Sequence, residues 1–334
     1  MKVLFIGGTG IMSSACAQLA VERGIEMYML NRGRSQRPVT EGAHVIHGDI
    51  RAAEATAAVF KGHVFDAVVD WVAYTPEQVQ ADIDLFRDRT GQYIFISSAS
   101  AYQKPLSNLP ITESTPLYNP YWQYSRDKIT CEDLLVGTYR ASGFPITIVR
   151  PSHTYDKMYI PIFGGYTTMD RMRQGKQVIV HGDGASLWVL THHRDFAKGF
   201  VGLLGNPHAI GEAFQITSDE VLTWNKIFEI LAHAAGAHAR IVHVPSEYIA
   251  ACDRKWGDEL LGDKAHCVLF DNSKIKRVVP GFVATIPFSQ GAQEIMAWHD
   301  DDPARQVVDP KVNQLLDRII AGYQSAWPGR QSEP

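Results

Sequence analysis

Tyr124 and Lys128 stand four residues apart in Tyr124-Ser125-Arg126-Asp127-Lys128. On a helix that spacing puts both on one face. Asn119-Pro120 just upstream reads as an N-cap followed by a proline at the first helical position, so Tyr124 falls early in the helix. A cation one turn from a phenol favours the phenolate, which a free tyrosine reaches only near pH 10. The spacing alone is a weak signal and needs its context. One part of that context is Ser97-Ser98-Ala99-Ser100-Ala101-Tyr102, which closes a strand-like run about one element upstream. The other is Gly7-Gly8-Thr9-Gly10-Ile11-Met12-Ser13, between a first strand-like run and a helix-like one. Gly7 permits a tight turn, and Gly10 lets the backbone approach a pyrophosphate. The helix N-terminus then supplies free N–H groups and a positive dipole end. Ser13 takes the third small position, where Gly or Ala is usual, and loosens the fingerprint. A tight turn without a ligand is the plain alternative.

These groups need a scaffold that brings them together. Short β-rich runs recur at Val3–Ile6, Glu26–Leu30, His44–His47, Ala67–Trp71, Tyr93–Ser97 and Ile146–Val149. Helix-like stretches lie near 11–23, 52–61, 76–88 and 120–142. Buried strands alternating with amphipathic helices read as βαβ units. The expected fold is α/β, a doubly wound parallel Rossmann sheet with a smaller mixed α/β C-terminal substrate domain. Ligands of such sheets sit beyond the C-terminal strand ends, so Gly7–Ser13, Trp71–Tyr74 and Ser98 would face one crevice. Past Arg150, Pro151, Pro161, Gly164-Gly165 and Gly182-Asp183-Gly184 mark loops and short elements. Helical stretches follow near 193–204, 224–235, 246–252, 288–298 and 310–325, with β runs at 213–217 and 241–244. The expected division is 1–152 with 191–217 for the dinucleotide domain and 153–190 with 218–327 for the substrate domain. Residues 328–334 read as a frayed tail.

The residue closing the second strand reads ribose. An acid there accepts from both adenosine ribose hydroxyls and repels a 2′-phosphate. Here Leu30-Asn31-Arg32-Gly33-Arg34 offers neutral Asn31, with Arg32 and Arg34 able to clamp a phosphate. The reading leans to NADP(H) over NAD(H), although an amide also binds a ribose diol. In Gly48-Asp49-Ile50-Arg51, Asp49 is placed to accept the adenine amino group and Ile50 to pack on the ring. Capping of the following helix is the alternative role for Asp49.

Together these residues resemble the extended short-chain dehydrogenase/reductase superfamily, and within it the NAD-dependent epimerase/dehydratase family. The resemblance covers most of the chain and is strongest up to about residue 150. It implies a Rossmann fold with a small C-terminal substrate domain and a homodimer built through two helices per subunit. It implies that Tyr124 is the acid/base, Lys128 its activator and ribose anchor, and Ser98 the hydroxyl that holds the substrate oxygen. Ser98 is chosen over Ser97 and Ser100 because the family's serine lies four residues before an aromatic, here Tyr102. Trp71, Ala73 and Pro151 complete the expected dinucleotide contacts.

Three departures bear on substrate. The Asp-Glu pair of the family's 4,6-dehydratases is absent, since Ala99-Ser100 follows Ser98. Trp188 stands where nucleotide-sugar enzymes usually carry a diphosphate-gripping arginine, and an indole stacks on a sugar face instead. The asparagine expected after Arg150 is replaced in Pro151-Ser152-His153. Ser100, His153 and Trp188 are the expected substrate contacts, with a packed loop as the alternative for His153. Arg171, Arg173 and Lys176 are the basic residues nearest the Gly182 turn. Tyr121, Trp122, Tyr155, Tyr159 and Trp188 either line a carbohydrate-sized pocket or form core. His181, His192 and His193 show no metal spacing, and no metal is expected. His192 and Asp195 resemble a family motif that orders the fold.

Composition bounds the rest. The chain has 334 residues, 45% hydrophobic and 20% charged, with a net charge of −4. That balance supports a sizeable core and gives no footprint for a dedicated nucleic-acid protein. No apolar run approaches the ~18 residues of a membrane span. Cys16, Cys131, Cys252 and Cys267 form no C-x-x-C pair, so neither a disulfide frame nor a zinc site is expected, and a reducing cytoplasm fits. The expected function is an NAD(P)-dependent oxidoreductase or epimerase at a hydroxyl or carbonyl carbon of a sugar-like substrate. The alternatives are an NADPH-dependent reductase of a non-sugar carbonyl and a non-catalytic dinucleotide-sensing or RNA-associated protein on the same fold.

Overall fold

Val3-Leu4-Phe5-Ile6 is apolar at every position because both faces of its strand are covered, as in a parallel sheet. A computed structural model describes residues 1–35, 37–52 and 58–326. Their strands are β1 (Lys2–Ile6), β2 (Glu26–Asn31), β3 (His44–His47), β4 (Ala67–Asp70), β5 (Tyr93–Ile96), β6 (Ile146–Pro151), β7 (His153–Tyr155), β8 (Gln177–His181), β9 (Leu187–Trp188), β10 (Leu190–His192), β11 (Glu212–Ile216), β12 (Leu222–Thr223) and β13 (Arg240–Val244). Seven of them form one sheet in the order β11-β6-β5-β4-β1-β2-β3, with every pairing parallel. The strand order reverses between β1 and β4, which opens the switch-point crevice at their carboxyl ends. This is the doubly wound α/β fold expected from the sequence.

The pleat sorts the side chains into two layers. Val3 and Phe5 pack with Ala15, Cys16 and Ala20 of α1 (Ile11–Glu22) and with Phe196 and Phe200 of helix His193–Val201. Leu4 and Ile6 face the other way, into Val79, Ile83 and Phe86 of α2 (Pro76–Phe86) and Cys131 and Leu135 of α3 (Gln123–Ser142). Small residues on the buried side of α1 let it lie close to the sheet behind the glycine turn.

The chain divides into two compact units. The first comprises Met1–Tyr155, Val189–Asp219 and Phe270–Thr285; the second comprises Asp156–Trp188, Glu220–Leu269 and the chain from Ile286. In the second unit β8 pairs with β13 in parallel and β9 with β12 in antiparallel. Its core gathers Ile179, Val244, Ile249, Trp256, Leu316 and Ile319. Part of the helix expected at 52–61 and the tail at 328–334 lie outside the described residues.

Helix α3 differs from its expected start. It begins at Gln123, not at Asn119-Pro120. The Asn119 carboxamide explains this, since its Oδ1 accepts the N–H groups of Tyr121 (3.2 Å) and Trp122 (3.1 Å) while its Nδ2 donates to Ser100 O at 2.9 Å. The turn is thereby held on the segment after β5, and regular helix begins only beyond it.

The buried stripe of α3 is polar for a core face: Ser125, Lys128, Cys131, Glu132 and Leu135. Glu132 and Arg150 form a buried ion pair, 2% and 5% exposed, with Nη2 at 2.5 Å from Oε2. Arg150 also donates to Glu113 O at 3.1 Å, and Ser97 Oγ donates to Glu132 Oε1 at 2.5 Å. Removing one partner of such a pair strands the other charge away from water. Glu132→Ala should therefore destabilise the chain by about 3–5 kcal/mol, whereas replacing both residues by apolar ones of like volume should cost far less. Urea unfolding of both variants checks this; a loss below about 1 kcal/mol for Glu132→Ala would contradict it.

Candidate active site

The glycine turn leaves β1 with Gly7 at φ +95° and Gly8 at φ +113°, backbone that side-chain-bearing residues rarely adopt. A Cβ on Gly7 would also lie 3.2 Å from Val72 Cγ1. Gly10 precedes α1, and its N–H donates to Ser13 Oγ at 2.8 Å. The serine that departs from the small-residue pattern is thus a buried tie within the turn.

Beside this turn lies a cavity of about 630 Å³. Gly7, Thr9, Asn31, Arg32, Asp49 and Ile50 line it, six of the residues expected to hold a dinucleotide. Gly10, Ile11 and Met12 lie on the α1 side of the turn and are not in its wall. Ile50 is 8% exposed. Asn31 is also buried, and among the described residues its Nδ2 has no hydrogen-bond partner. A buried amide donor without an acceptor is costly unless something fills the site. Together with the glycine cradle, this orphan donor fits a dinucleotide's ribose or phosphate oxygens. Asp49 accepts the Arg51 N–H at 3.1 Å and lies 3.9 Å from Arg32 Nη1, so its carboxylate also organises its own turn.

Sequence reasoning missed the wall behind this cavity. Arg51 lines it and donates to Asp70 Oδ2 (3.3 Å), Asp82 Oδ1 (3.3 Å) and Val72 O (3.2 Å). Asp70 and Asp82 are each 1% exposed. Burial, with Asp70 beside it, pushes the Asp82 carboxyl well above the usual carboxylate range. Tyr93 donates to Asp82 Oδ2 at 2.9 Å and is itself pushed up by burial. The available signal was an acid closing the otherwise apolar run Ala67-Val68-Val69-Asp70.

Lys128 is the centre of the second cluster. Its ammonium is 3% exposed and donates to Ala73 O and Ile96 O, both at 2.7 Å. It lies 4.7 Å from the ring centres of Tyr74 and Phe95 and 5.8 Å from that of Tyr124. Burial pulls its pKa down to about 8, partly opposed by Asp70 and Glu132. Tyr124 is half-buried, with its ring 4.8 Å from Trp122 and 6.4 Å from Tyr74. Ser98, two residues past Ile96, is half-buried, and its Oγ lies 2.9 Å from Ser100 Oγ. The Lys128 tie therefore joins the helix bearing Tyr124 to the strand end bearing Ser98.

Other expected contacts lie outside the lining of the glycine-turn cavity. The Trp71 indole is half-buried and packs on Phe5 (5.3 Å) and Phe200 (4.9 Å). Pro151 is buried at the end of β6, opposite Ile216. His153 is half-buried in β7, opposite Leu190 of β10. Ser100 is 2% exposed and engaged by neighbouring hydroxyls rather than open to a substrate. Trp188 corrects the expected stacking platform: in the second unit it is 2% exposed, 5.2 Å from the Trp224 ring, with no free indole face. The other aromatics divide, with Tyr155 buried and Tyr121 and Tyr159 exposed. His181 is a core residue, held at Nε2 by Lys264 O (2.9 Å), and burial lowers its pKa to about 4. His192 caps helix His193–Val201, its Nδ1 accepting the Arg194 N–H at 3.2 Å.

A parallel sheet with a glycine turn at its switch point, a flanking cavity and a Tyr–Lys helix defines a Rossmann-type dinucleotide-binding protein. The chain belongs to the NAD dependent epimerase/dehydratase family, within the extended short-chain dehydrogenase/reductase superfamily, and the family's sequence profile matches residues 3–217. It is 26% identical over 265 residues to the chloroplast stem-loop binding protein of 41 kDa b from Arabidopsis thaliana, covering 74% of this chain and 67% of that one. It is 30% identical over 169 residues to a UDP-glucose 4-epimerase from Lactobacillus helveticus, covering 45% of this chain and about half, 51%, of that enzyme. Its fold is similar to the crystal structure of UDP-glucose 4-epimerase from Bifidobacterium longum in complex with NAD+ and UDP. That likeness has a TM-score of 0.71 at 19% identity and covers 91% of this chain and 99% of that one. Among the described residues, no helix is long and apolar enough to cross a membrane.

The low pKa of Lys128 has a measurable consequence. Its folded value of about 8 lies below the ordinary 10.5, so between those pH values the folded chain holds fewer protons than the unfolded one. Stability contributed at this site therefore rises with pH across that window. Relative to Lys128→Met, the parent should gain about 2 kcal/mol in urea unfolding between pH 8 and pH 10. A stability difference that stays flat over that range would contradict the buried ammonium.

Proposed function

We propose that this chain is an NAD(P)-dependent oxidoreductase or epimerase acting on a hydroxyl or carbonyl carbon of a sugar-like substrate. The observation that carries the reading is the Lys128 ammonium, buried between Ala73 O and Ile96 O on the helix that bears Tyr124. Gly7, Thr9, Asn31, Arg32, Asp49 and Ile50 would hold the adenosine half of the dinucleotide, and Lys128 its nicotinamide ribose. When bound, the nicotinamide supplies the acceptor and donor of hydride.

The chain's own residues do the acid–base work. Tyr124 takes the proton of the substrate hydroxyl, or returns it, at its phenolic oxygen. The Lys128 cation, one turn along α3, favours the phenolate by charge. Ser98 hydrogen-bonds the same substrate oxygen and steadies the charge that develops there. Tyr124→Phe keeps the ring and removes the proton carrier. It should leave dinucleotide binding nearly intact and lower turnover by roughly 10²–10⁴. The assay is a panel of UDP-, GDP- and dTDP-sugars, free sugars, glycosides and sugar acids, followed by 340 nm absorbance and product stereochemistry. Full turnover by Tyr124→Phe would reject the assignment. Tight binding of an RNA stem-loop without turnover of any panel member would favour the RNA-associated alternative.

Within that panel we place sugars lacking a nucleotide diphosphate ahead of nucleotide sugars. Trp188 replaces the diphosphate-gripping arginine. The nearby guanidinium groups are engaged, Arg171 with Asp317 at 2.7 Å and Arg173 with Asp300 at 2.7 Å. Efficient turnover of nucleotide sugars alone would overturn this ranking.

For the cofactor we favour NADP(H) over NAD(H). The unpartnered Asn31 Nδ2 calls for an acceptor, and Arg32, Arg34 and Arg37 also line the cavity. A 2′-phosphate offers acceptors only, whereas an acid at this place would accept from ribose hydroxyls. Arg32→Ala should weaken NADPH binding by about 1.5–3 kcal/mol, and Asn31→Asp should turn the preference toward NADH. Fluorescence titration with both dinucleotides checks this; a parent that clearly prefers NADH would reject it.

A further inference from the structure

Two buried hydroxyls beside the proposed site have no part in the chemistry above. Ser125 is 0% and Ser100 is 2% exposed. Ser125 Oγ donates to Ser100 Oγ at 2.8 Å, and Ser100 Oγ lies 2.9 Å from Ser98 Oγ. The Ser100 N–H also reaches Ser98 Oγ, at 3.2 Å. The carbonyl of Ser100 accepts from Asn119 Nδ2 at 2.9 Å, which fixes the segment on the turn before α3.

Each hydroxyl has one hydrogen and two lone pairs. Ser100 accepts from Ser125, and among the described residues the one acceptor left for its own buried hydrogen is Ser98. Ser98 then accepts twice, from the O–H and the N–H of Ser100, and its lone pairs are filled. Among the described residues its hydrogen then has no acceptor, and it is available to one outside the chain. We infer that Ser125 and Ser100 are positioning residues that set Ser98 as an obligate hydrogen-bond donor to the substrate oxygen. Head-to-tail hydroxyls polarise one another, which strengthens the last donor. The consequence is a division of labour. Ser98 cannot accept the substrate's proton, which leaves Tyr124, the neighbour of Ser125 on α3, as its only acceptor of the two.

This inference rests on the proposed roles of Ser98 and Tyr124, and its test separates the two. Neutron diffraction from the perdeuterated chain locates the serine deuterons without any turnover. The expected map has the Ser125 deuteron on the line to Ser100, the Ser100 deuteron on the line to Ser98, and the Ser98 deuteron off the chain. In Ser125→Ala the Ser98 deuteron should split between that position and the line to Ser100, while Ser125→Thr restores the parent arrangement. On the member of the sugar panel turned over fastest, Ser125→Ala should lower kcat about tenfold with KM within about twofold. It should add nothing in a Ser98→Ala background, because it acts through that hydroxyl. A Ser98 deuteron on the line to Ser100 in the parent would overturn the inference, as would an undiminished Ser125→Ala effect without Ser98. Failure of the acid/base reading shows elsewhere, as full turnover by Tyr124→Phe.

Discussion

The burial of one ammonium constrains the site more than any other feature. Taking a lysine out of water costs several kcal/mol unless its protons find acceptors. Lys128 finds two carbonyls, Ala73 O just past β4 and Ile96 O at the end of β5. Because those bonds must close, α3 is tied to two adjacent strand ends at once. Tyr124 then sits one turn before the tie, and Ser98 two residues beyond one of its acceptors. The Glu132–Arg150 pair repeats the device one turn further along, and its link to Ser97 holds the chain next to Ser98. A helix face with this much buried polarity is poor for stability, and its pattern makes sense as the wall of a site.

The cavity beside the glycine turn depends on two further buried polar groups, Asp70 and Asp82. Arg51 reaches from the loop after β3 to Asp70 and Asp82, so the wall of the cavity is joined to the strand end that leads to Ala73. Asp70 also raises the pKa of Lys128 against the effect of burial. The cavity beside the glycine turn and the Lys128 cluster of the first unit thus share one acid, Asp70, at the end of an apolar strand.

Much of this was legible in the sequence. Continuous apolar runs such as Val3–Ile6 mark strands covered on both faces, and the glycine turn marks the switch point. The Tyr124–Lys128 spacing became informative once a serine-bearing strand end preceded it. What remained hidden depends on pairings with no period. Arg51 meets an acid 31 residues away, and no window of sequence contains both. The start of α3 turned on the Asn119 side chain, whose hydrogen bonds made a turn where Asn-Pro suggested a cap. Trp188 looked the same in sequence whether open to a sugar or packed on Trp224, because an indole serves both uses. Ser100, an expected substrate contact, is buried and bonded from Ser125, a pairing 25 residues apart that no local pattern announces.

The central claim is that a dinucleotide lies across the glycine turn with its reactive ring at Ser98, Tyr124 and Lys128. A crystal structure of the chain soaked with NADPH measures this directly. The account predicts the adenosine in the cavity with an acceptor on Asn31 Nδ2, the Lys128 ammonium bonded to the nicotinamide ribose, and the Tyr124 hydroxyl facing the nicotinamide ring. A dinucleotide bound with its nicotinamide beyond reach of Tyr124, or a cavity that takes none, would contradict it.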